Sequence, residues 1–258
     1  MSSLRRMGVL VQHELRLAAR DPLPLVVLVV FPIITMAFLE PAFRPALVES
    51  GHQDASGAEQ VVPGQAAMSA FFVVSLVTFG FFSEHTWATW DRLRASQATS
   101  LEIVVGKALP RVVMVVLQFC VIFAFGAIVF DLVVRGDAIA MVPLVLAFSV
   151  CLVALGVAIT ALSPTAQQAQ AYAIVGMVLF GAIGGALVPF DVLPGWAQTI
   201  APVTPTYWAM DGFEAVILDG DGIGGVALPV AVLSVMAIGC SVVALVRLRF
   251  DDHKVGWA

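Results

Sequence analysis

Two acidic residues near the end of the chain have a spacing that would let their carboxylates act together at one site. Asp211 and Glu214 lie three residues apart, so a helix would place both carboxylates on one face. Paired in this way and facing a vestibule, they could bind a cation or a proton. The simpler interpretation is a pair of solvated surface acids. The sequence favours the simpler one and leaves the other open.

The motifs of nucleotide and metal chemistry are not evident. A phosphate-binding GxxxxGK[ST] loop would need a glycine at position 101 and Ser or Thr after Lys107, but the sequence has Leu101 and Ala108. The four histidines and three cysteines are scattered without metal-ligand spacing. We therefore predict no cofactor and no metal bound by this chain, and neither a zinc site nor a Ser–His hydrolase.

The chain as a whole is strongly apolar. The 258 residues are 60% hydrophobic and 12% charged, whereas soluble domains are about a quarter charged. A membrane-spanning helix needs about 20 mostly apolar residues, and the runs that satisfy this lie near 22–39, 65–82, 112–130, 141–162, 170–188 and 224–246. The sequence predicts an all-α integral membrane protein, a single transmembrane domain over residues 1–258 with six transmembrane helices.

The distribution of basic residues indicates an orientation. With the N-terminus in the cytoplasm, eleven of the 13 Lys and Arg residues fall on the cytoplasmic side, and only Arg44 and Arg135 fall outside. This agrees with the positive-inside rule. We predict a multi-pass protein of the cytoplasmic (inner or plasma) membrane with both termini in the cytoplasm, and no binding of nucleic acid.

Three segments outside the spans have distinct patterns. Residues 1–20 mix apolar side chains with Arg5, Arg6, Arg16 and Arg20, which is typical of an interfacial helix on the inner leaflet, although contact with a cytoplasmic partner is an alternative. The loop from Glu40 to Gly64 is expected to be irregular or briefly helical. Residues 189–222 are too apolar for an exposed loop and too rich in proline for a span, so they form an external re-entrant or interfacial segment. Within it, Thr204 and Pro205 predict a helix start.

The stretch from 81 to 111 concentrates charge between two apolar runs. Residues 83–98 form an amphipathic helix in which Trp87, Trp90 and Leu93 share one side, while Glu84, His85, Asp91 and Arg92 lie opposite. Thr99 and Glu102 have capping-box spacing, which predicts that a new helix starts there. The segment is either a connector that obeys the positive-inside rule or a docking surface for a soluble partner.

Two motifs precede predicted spans: "EHTWATWDRLRAS" (84–96), followed by "SLEIVVGK", lies before the third span, and "LVPFDVLPGWAQTIAPVTPTYWAMDGFEAVI" (187–217) lies before the last. Both resemble the segments found at these places in a known family, the permeases of the type 2 ATP-binding-cassette (ABC) exporters of drugs, antibiotics, lipids or polysaccharides. Glu84, Thr89, Arg92 and Leu93 match, Asp91 replaces a glutamate, and Ala88 and Thr86 depart from the pattern.

The resemblance implies half of an ATP-driven exporter for a hydrophobic or amphipathic compound. Two six-span subunits, identical or different, would form the pore, and two cytoplasmic ATPase subunits carrying ATP and Mg²⁺ would dock on residues 1–20 and on the coupling helix, 83–98. The chain itself would be a transport subunit and not an enzyme. An ion-coupled secondary transporter or channel without an ATPase is the alternative. The implied docking residues are Glu84, His85, Thr89, Asp91, Arg92 and Leu93.

A few residues within the spans are candidates for the transport pathway or for helix packing. Gln118, deep in the third span, needs a polar partner and is better suited to packing than to substrate recognition. Phe72 and Phe79 of the second span could line an apolar path or face lipid. Gly181 and Gly185 have GxxxG spacing, which would let another helix approach closely, from the same chain or from a second copy.

Overall fold

A computed structural model describes residues 3–20, 23–49, 56–86 and 99–247. Within these ranges the chain is helical and contains no strand. The α-helices are α1 (Ser3–Arg20), α2 (Leu23–Glu49), α3 (Ala58–Ala70), α4 (Phe72–Thr86), α5 (Ser100–Val129), α6 (Met141–Leu162), α7 (Ala166–Ile183), α8 (Gly195–Ile200), α9 (Pro205–Ile217) and α10 (Ile223–Arg247), with short 3₁₀ turns before α6, α8 and α9.

Six stretches of the described chain are long and apolar enough to cross a bilayer. They are Val26–Pro45, Ala58–Ser83, Glu102–Val129, Ala138–Leu162, Ala166–Ile183 and Ile223–Arg247. The prediction of an all-helical chain with six membrane-spanning helices is therefore confirmed. The second stretch consists of α3 and α4, which are separated by a turn at Phe71.

The segment 40–64 is more helical than predicted. α2 continues to Glu49, and α3 begins at Ala58, so charged residues lie within the helices and not beyond their ends. Glu59 is buried because its Oε2 accepts hydrogen bonds from the backbone N–H groups of Ser56 and Gly57, at 3.1 and 3.2 Å. A satisfied carboxylate at a helix N-terminus is favourable, so α3 begins before the predicted start at residue 65.

The core lies around α3, α4 and α6. Aromatic rings of three helices and of the turn at Phe71 meet there: Phe71 packs edge-on against Phe148, which packs edge-on against Phe119, and Phe119 stacks on Phe213 with the ring centroids 5.8 Å apart. Such contacts add to the stabilisation from burial. α6 also packs along α10, so the last helix is held against the core by α6.

The two ends of the bundle differ. At one end, α1 packs against the first turns of α5; we call this the α1 end. At the other, the loop between α5 and α6 bonds to the end of α9: Gly136 N–H donates to Val216 O at 2.9 Å, and Arg135 Nη1 donates to Leu218 O at 3.2 Å. We call this the α9 end. The predicted helix start at Thr204 and Pro205 is confirmed, since Thr204 caps α9.

Candidate functional site

The first helical turn after the charged stretch is fixed by reciprocal capping. Thr99 Oγ1 accepts from the backbone N–H of Glu102 at 3.3 Å, and the Glu102 carboxylate accepts from the Thr99 N–H at 2.8 Å. The predicted capping box is thus confirmed. Because it satisfies two otherwise unpaired N–H groups, it sets the start of α5 and the position of the basic residues that follow.

Three charged side chains meet at the α1 end. Glu14 of α1 is buried, and its Oε1 accepts from Lys107 Nζ at 3.0 Å while its Oε2 lies 3.3 Å from Arg111 Nη2. Lys107 and Arg111 are one turn apart on α5, so both reach the same carboxylate. We call these three residues the Glu14 cluster. Its side chains are 10–17% exposed, so solvent screens their attraction weakly.

Apolar neighbours complete the surroundings of the Glu14 cluster. Lys107 Nζ lies 6.0 Å from the centroid of the Phe81 ring of α4, within the range of a cation–π contact. α1 comes close to α5 at Gly106, where an added Cβ would lie 2.8 Å from Leu10 Cβ. The cluster therefore joins α1, the last part of α4 and the base of α5.

The docking residues implied by the resemblance adjoin this cluster in sequence. Glu84 and His85 belong to the last turn of α4, but their side chains lie outside the described residues, as do Thr89, Asp91, Arg92 and Leu93 entirely. On α1, Arg5, Arg16 and Arg20 are exposed, and the Arg6 side chain is outside the description. The docking surface thus remains a prediction.

Sequence reasoning missed the role of Glu14. Glu14 is the only acid in α1, a helix rich in arginine, and Lys107 and Arg111 precede a long apolar run at a spacing of one turn. Two cations on one face at the entry of a span require a nearby acid if they are buried. The one-turn spacing of Lys107 and Arg111 was therefore the sequence signal for a buried acid nearby.

A small acidic pocket lies at the α9 end. Its lining includes Gln60, Tyr207, Asp211 and Glu214, so the two acids singled out above face the same pocket. Burial, together with the nearby carboxylates of Asp191, Asp219 and Asp211, raises the pKa of Glu214 to about 7. Burial and Asp219 likewise raise the pKa of Asp211. Among the described residues, no group of three or more His, Cys, Asp or Glu could hold a metal ion.

Gln118 connects α5 to α3. The side chain is fully buried, and its Nε2 donates to Ser69 Oγ at 2.6 Å and to Ala66 O at 3.2 Å. None of the described residues donates to its Oε1. A hydrogen bond between two spans is the packing contact expected of a polar residue in hydrocarbon.

The roles of the other pathway candidates remain predictions. Phe72 is half-buried, while Phe79 on the next helical turns is 45% exposed. Gly181 faces Met68 of α3, so the helix that approaches it belongs to the same chain.

The GxxxG interpretation needs correction at Gly185. α7 ends at Ile183, five residues before the predicted limit of 188, and Gly185 has φ +84°. This left-handed conformation suits glycine, and it turns the Gly185 carbonyl to accept from Gln60 Nε2 at 2.8 Å. Gly181 and Gly185 thus do not share a helical ridge.

Comparison with known proteins gives consistent matches. The chain is 27% identical over 146 residues to "Probable multidrug ABC transporter permease YbhR" of Escherichia coli K12, an alignment that covers 56% of this chain and 40% of that protein. It is 28% identical over 154 residues to "Linearmycin resistance permease protein LnrN" of Bacillus subtilis 168, covering 57% and 40%. The chain therefore matches less than half the length of these relatives.

The family assignment rests on a longer match. The family model described as "ABC-2 type transporter" matches residues 5–218, which include α1 with Glu14, the base of α5 and the whole of α9. Together with the six apolar helices, this identifies a multi-pass membrane protein. The chain belongs to the ABC-2 type transporter family.

Proposed function

We propose that this chain is the permease subunit of an ATP-driven exporter. It would move a hydrophobic or amphipathic compound out across the cytoplasmic membrane, with its termini in the cytoplasm. Two copies of a separate ATPase, which bind ATP and Mg²⁺, would supply the energy, and a second six-span copy would complete the pore. The names of the relatives, a probable multidrug ABC transporter permease and a linearmycin resistance permease protein, support this class of substrate.

The Glu14 cluster is the observation that carries the proposal. It ties α1 to α5 beside the end of α4, and the segment between α4 and α5 is the one that resembles the family's docking site for the ATPase. A push on that segment would act on α4 and α5 together with α1, because a buried ion pair resists separation. The α1 end is thus suited to pass movement from a soluble partner to the spans.

The docking proposal is tested by charge reversal in the complex. The chain is purified from its native membrane with the ABC ATPase that accompanies it, the pair is co-expressed, and the complex is assayed for ATP hydrolysis. Arg92→Glu is expected to reduce co-purification of the ATPase, since Arg92 lies in the motif that resembles the docking site. Arg44→Glu, at the opposite side in the predicted orientation, is the matched control. Equal recovery of the ATPase with both variants would contradict the proposal.

A second function is favoured by the acidic pocket. A carboxyl with a pKa near 7, such as Glu214, could exchange protons during transport. An ion-coupled transporter would then work without an ATPase. Transport by the purified chain alone in liposomes under a proton gradient, lost in Glu214→Gln, would support this alternative over the exporter.

A further inference from the structure

An apolar groove of about 400 Å³ runs between α6, α7 and α10. Cys151 and Ala158 of α6 are buried at its floor, with Cys240 of α10 beside them. Its two ends reach the outside of the bundle: Leu162, where α6 ends, is 54% exposed, and Val203, just before α9, is 71% exposed. The groove is therefore open along the flank of the molecule.

The groove lies at membrane depth and offers no polar side chain. Most of its walls belong to three candidate membrane spans, with Val203 and Pro205 from the segment at the start of α9, and none of its lining side chains carries a nitrogen or an oxygen. Water does not fill an apolar cavity of this kind, and an empty one would forfeit the dispersion contacts of all its walls. The occupant must therefore be a hydrocarbon group.

The lining favours a flexible chain over a second helix. Close approach of two helices in a membrane is favoured by small residues spaced four apart on one helix. The small residues Ala158 and Gly239 lie on different helices, and Gly239 is followed one turn later by Val243. The bulky Leu155 and Met236 also line the groove. A volume of about 400 Å³ falls within the range of small-molecule sites.

A cation follows the groove-lining residues along α10. Gly239, Val243 and Arg247 are spaced by four residues along α10, so they share one face. Arg247 is exposed in the last turn of α10, and no acid among the described residues forms an ion pair with it. Val243 lines the groove one turn before Arg247. An arginine at the end of a membrane span is well placed to bind a phosphate.

We propose that the groove holds an acyl chain of one bilayer phospholipid, whose phosphate is bound by Arg247. The hydrophobic effect contributes little here, because the chain moves from one hydrocarbon environment to another. The groove selects a phospholipid because an acyl chain fills its volume and the lipid phosphate contacts the charge of Arg247 at its end. The bound chain would also contact Val203 and Pro205, which lead into α9. The proposal does not depend on the transported compound or on an ATPase.

Photo-crosslinking of a labelled lipid tests the site. The full chain is reconstituted in nanodiscs of phosphatidylcholine containing a phosphatidylglycerol with a diazirine on one acyl chain, irradiated and mapped by mass spectrometry. Adducts are expected on the α6 and α10 peptides that contain Cys151 and Cys240. Gly239→Leu, which places a side chain where nothing lies within 4 Å, should reduce these adducts roughly three-fold or more, about 0.7 kcal/mol.

Matched variants separate this site from ordinary surrounding lipid. Gly176→Leu on α7 also meets open space but lies outside the groove, so it should leave the adducts unchanged. Arg247→Ala should lower them, whereas Arg20→Ala on α1 should not. Adducts spread equally over exposed positions such as Ile174 and Val178, or insensitive to Gly239→Leu, would overturn the proposal.

A second copy of the chain is the competing occupant, and Cys240 reports on it. In a Cys120→Ser, Cys151→Ala background, which leaves Cys240 as the one remaining cysteine, oxidation with copper phenanthroline should give no disulfide-linked dimer if lipid fills the groove. A dimer that forms through Cys240 would show that another protein chain covers this face, and the lipid proposal would then be wrong.

Discussion

The carboxylate of Glu14 lies 3.0 Å from the ammonium group of Lys107, although the two residues are 93 positions apart in the chain. This contact fixes α1 against the base of α5. It also explains why a helix with several exposed arginines is attached to the bundle and not merely adsorbed to it. A buried ion pair is poor evidence of net stabilisation, but breaking one is costly.

Glu14→Gln is expected to destabilise the protein. The substitution leaves Lys107 and Arg111 buried without their counter-charge, and loss of one partner of a buried pair costs about 3–5 kcal/mol. Thermal unfolding in detergent should show a markedly lower transition temperature. The control is Arg16→Gln, two residues along on the exposed side of α1, for which the transition should barely move.

In the complex, Glu14→Gln should also weaken coupling of ATP hydrolysis to transport. An unchanged transition temperature would show that the cluster is not structurally important.

Thr99→Ala is expected to weaken the start of α5. The alanine removes the oxygen that accepts from the Glu102 N–H, and the loss of such a cap costs about 0.5–2 kcal/mol. Thr99→Ser keeps the oxygen and should behave like the natural protein. Hydrogen exchange of the amides in the first turn of α5 measures the effect locally. Equal protection in the alanine and serine variants would show that the capping box does not hold this turn.

The predictions that succeeded rest on short-range signals. An apolar run long enough to cross a membrane is visible in the sequence because no polar segment can take its place. A capping residue bonds to the backbone within three positions of itself, so the helix starts at Thr99 and Thr204 could be predicted from the local sequence. The predicted bounds of α6, 141–162, coincide with the helix, which ends directly before Ser163 and Pro164.

The features that were missed depend on long-range contacts. Glu59 could enter a helix because the backbone of Ser56 and Gly57 satisfies its carboxylate. Gly185 lies beyond the end of α7, where its carbonyl accepts a hydrogen bond from Gln60, which is 125 positions away. Periodicity indicates which face of a helix is polar, but it does not identify the partner across that face. For this reason the Glu14 cluster was not predicted.

The stability of the α9 end should depend on pH through Glu214. Its pKa rises from 4.5 to about 7 in the folded protein, so the folded state holds the proton more tightly than the unfolded one. The free energy of unfolding should therefore fall as pH rises from about 4.5 to 7 and stay lower above that range. After allowance for partial solvent screening, we expect an effect of about 1–2 kcal/mol.

Glu214→Gln tests this pH dependence. The glutamine cannot ionise, so the variant should be more stable than the natural protein at pH 8 and similar to it at pH 5. Thermal unfolding at both pH values measures the difference. A stability gap of the same size at pH 5 and pH 8 would show that ionisation of Glu214 is not the cause.

Gln118→Leu distinguishes packing from substrate recognition in the third span. The glutamine makes two hydrogen bonds through Nε2 but leaves Oε1 without a donor among the described residues. An unsatisfied buried acceptor costs about 1–3 kcal/mol, so leucine should be tolerated or even stabilising, since Ser69 Oγ still donates to Gln65 O at 2.7 Å. Ser69→Ala should be worse than Gln118→Leu, because it removes the closest partner of Nε2 and keeps the buried amide.

Unfolding and transport are measured for both variants. Loss of transport in a stably folded Gln118→Leu protein would mean that Oε1 contacts the transported compound.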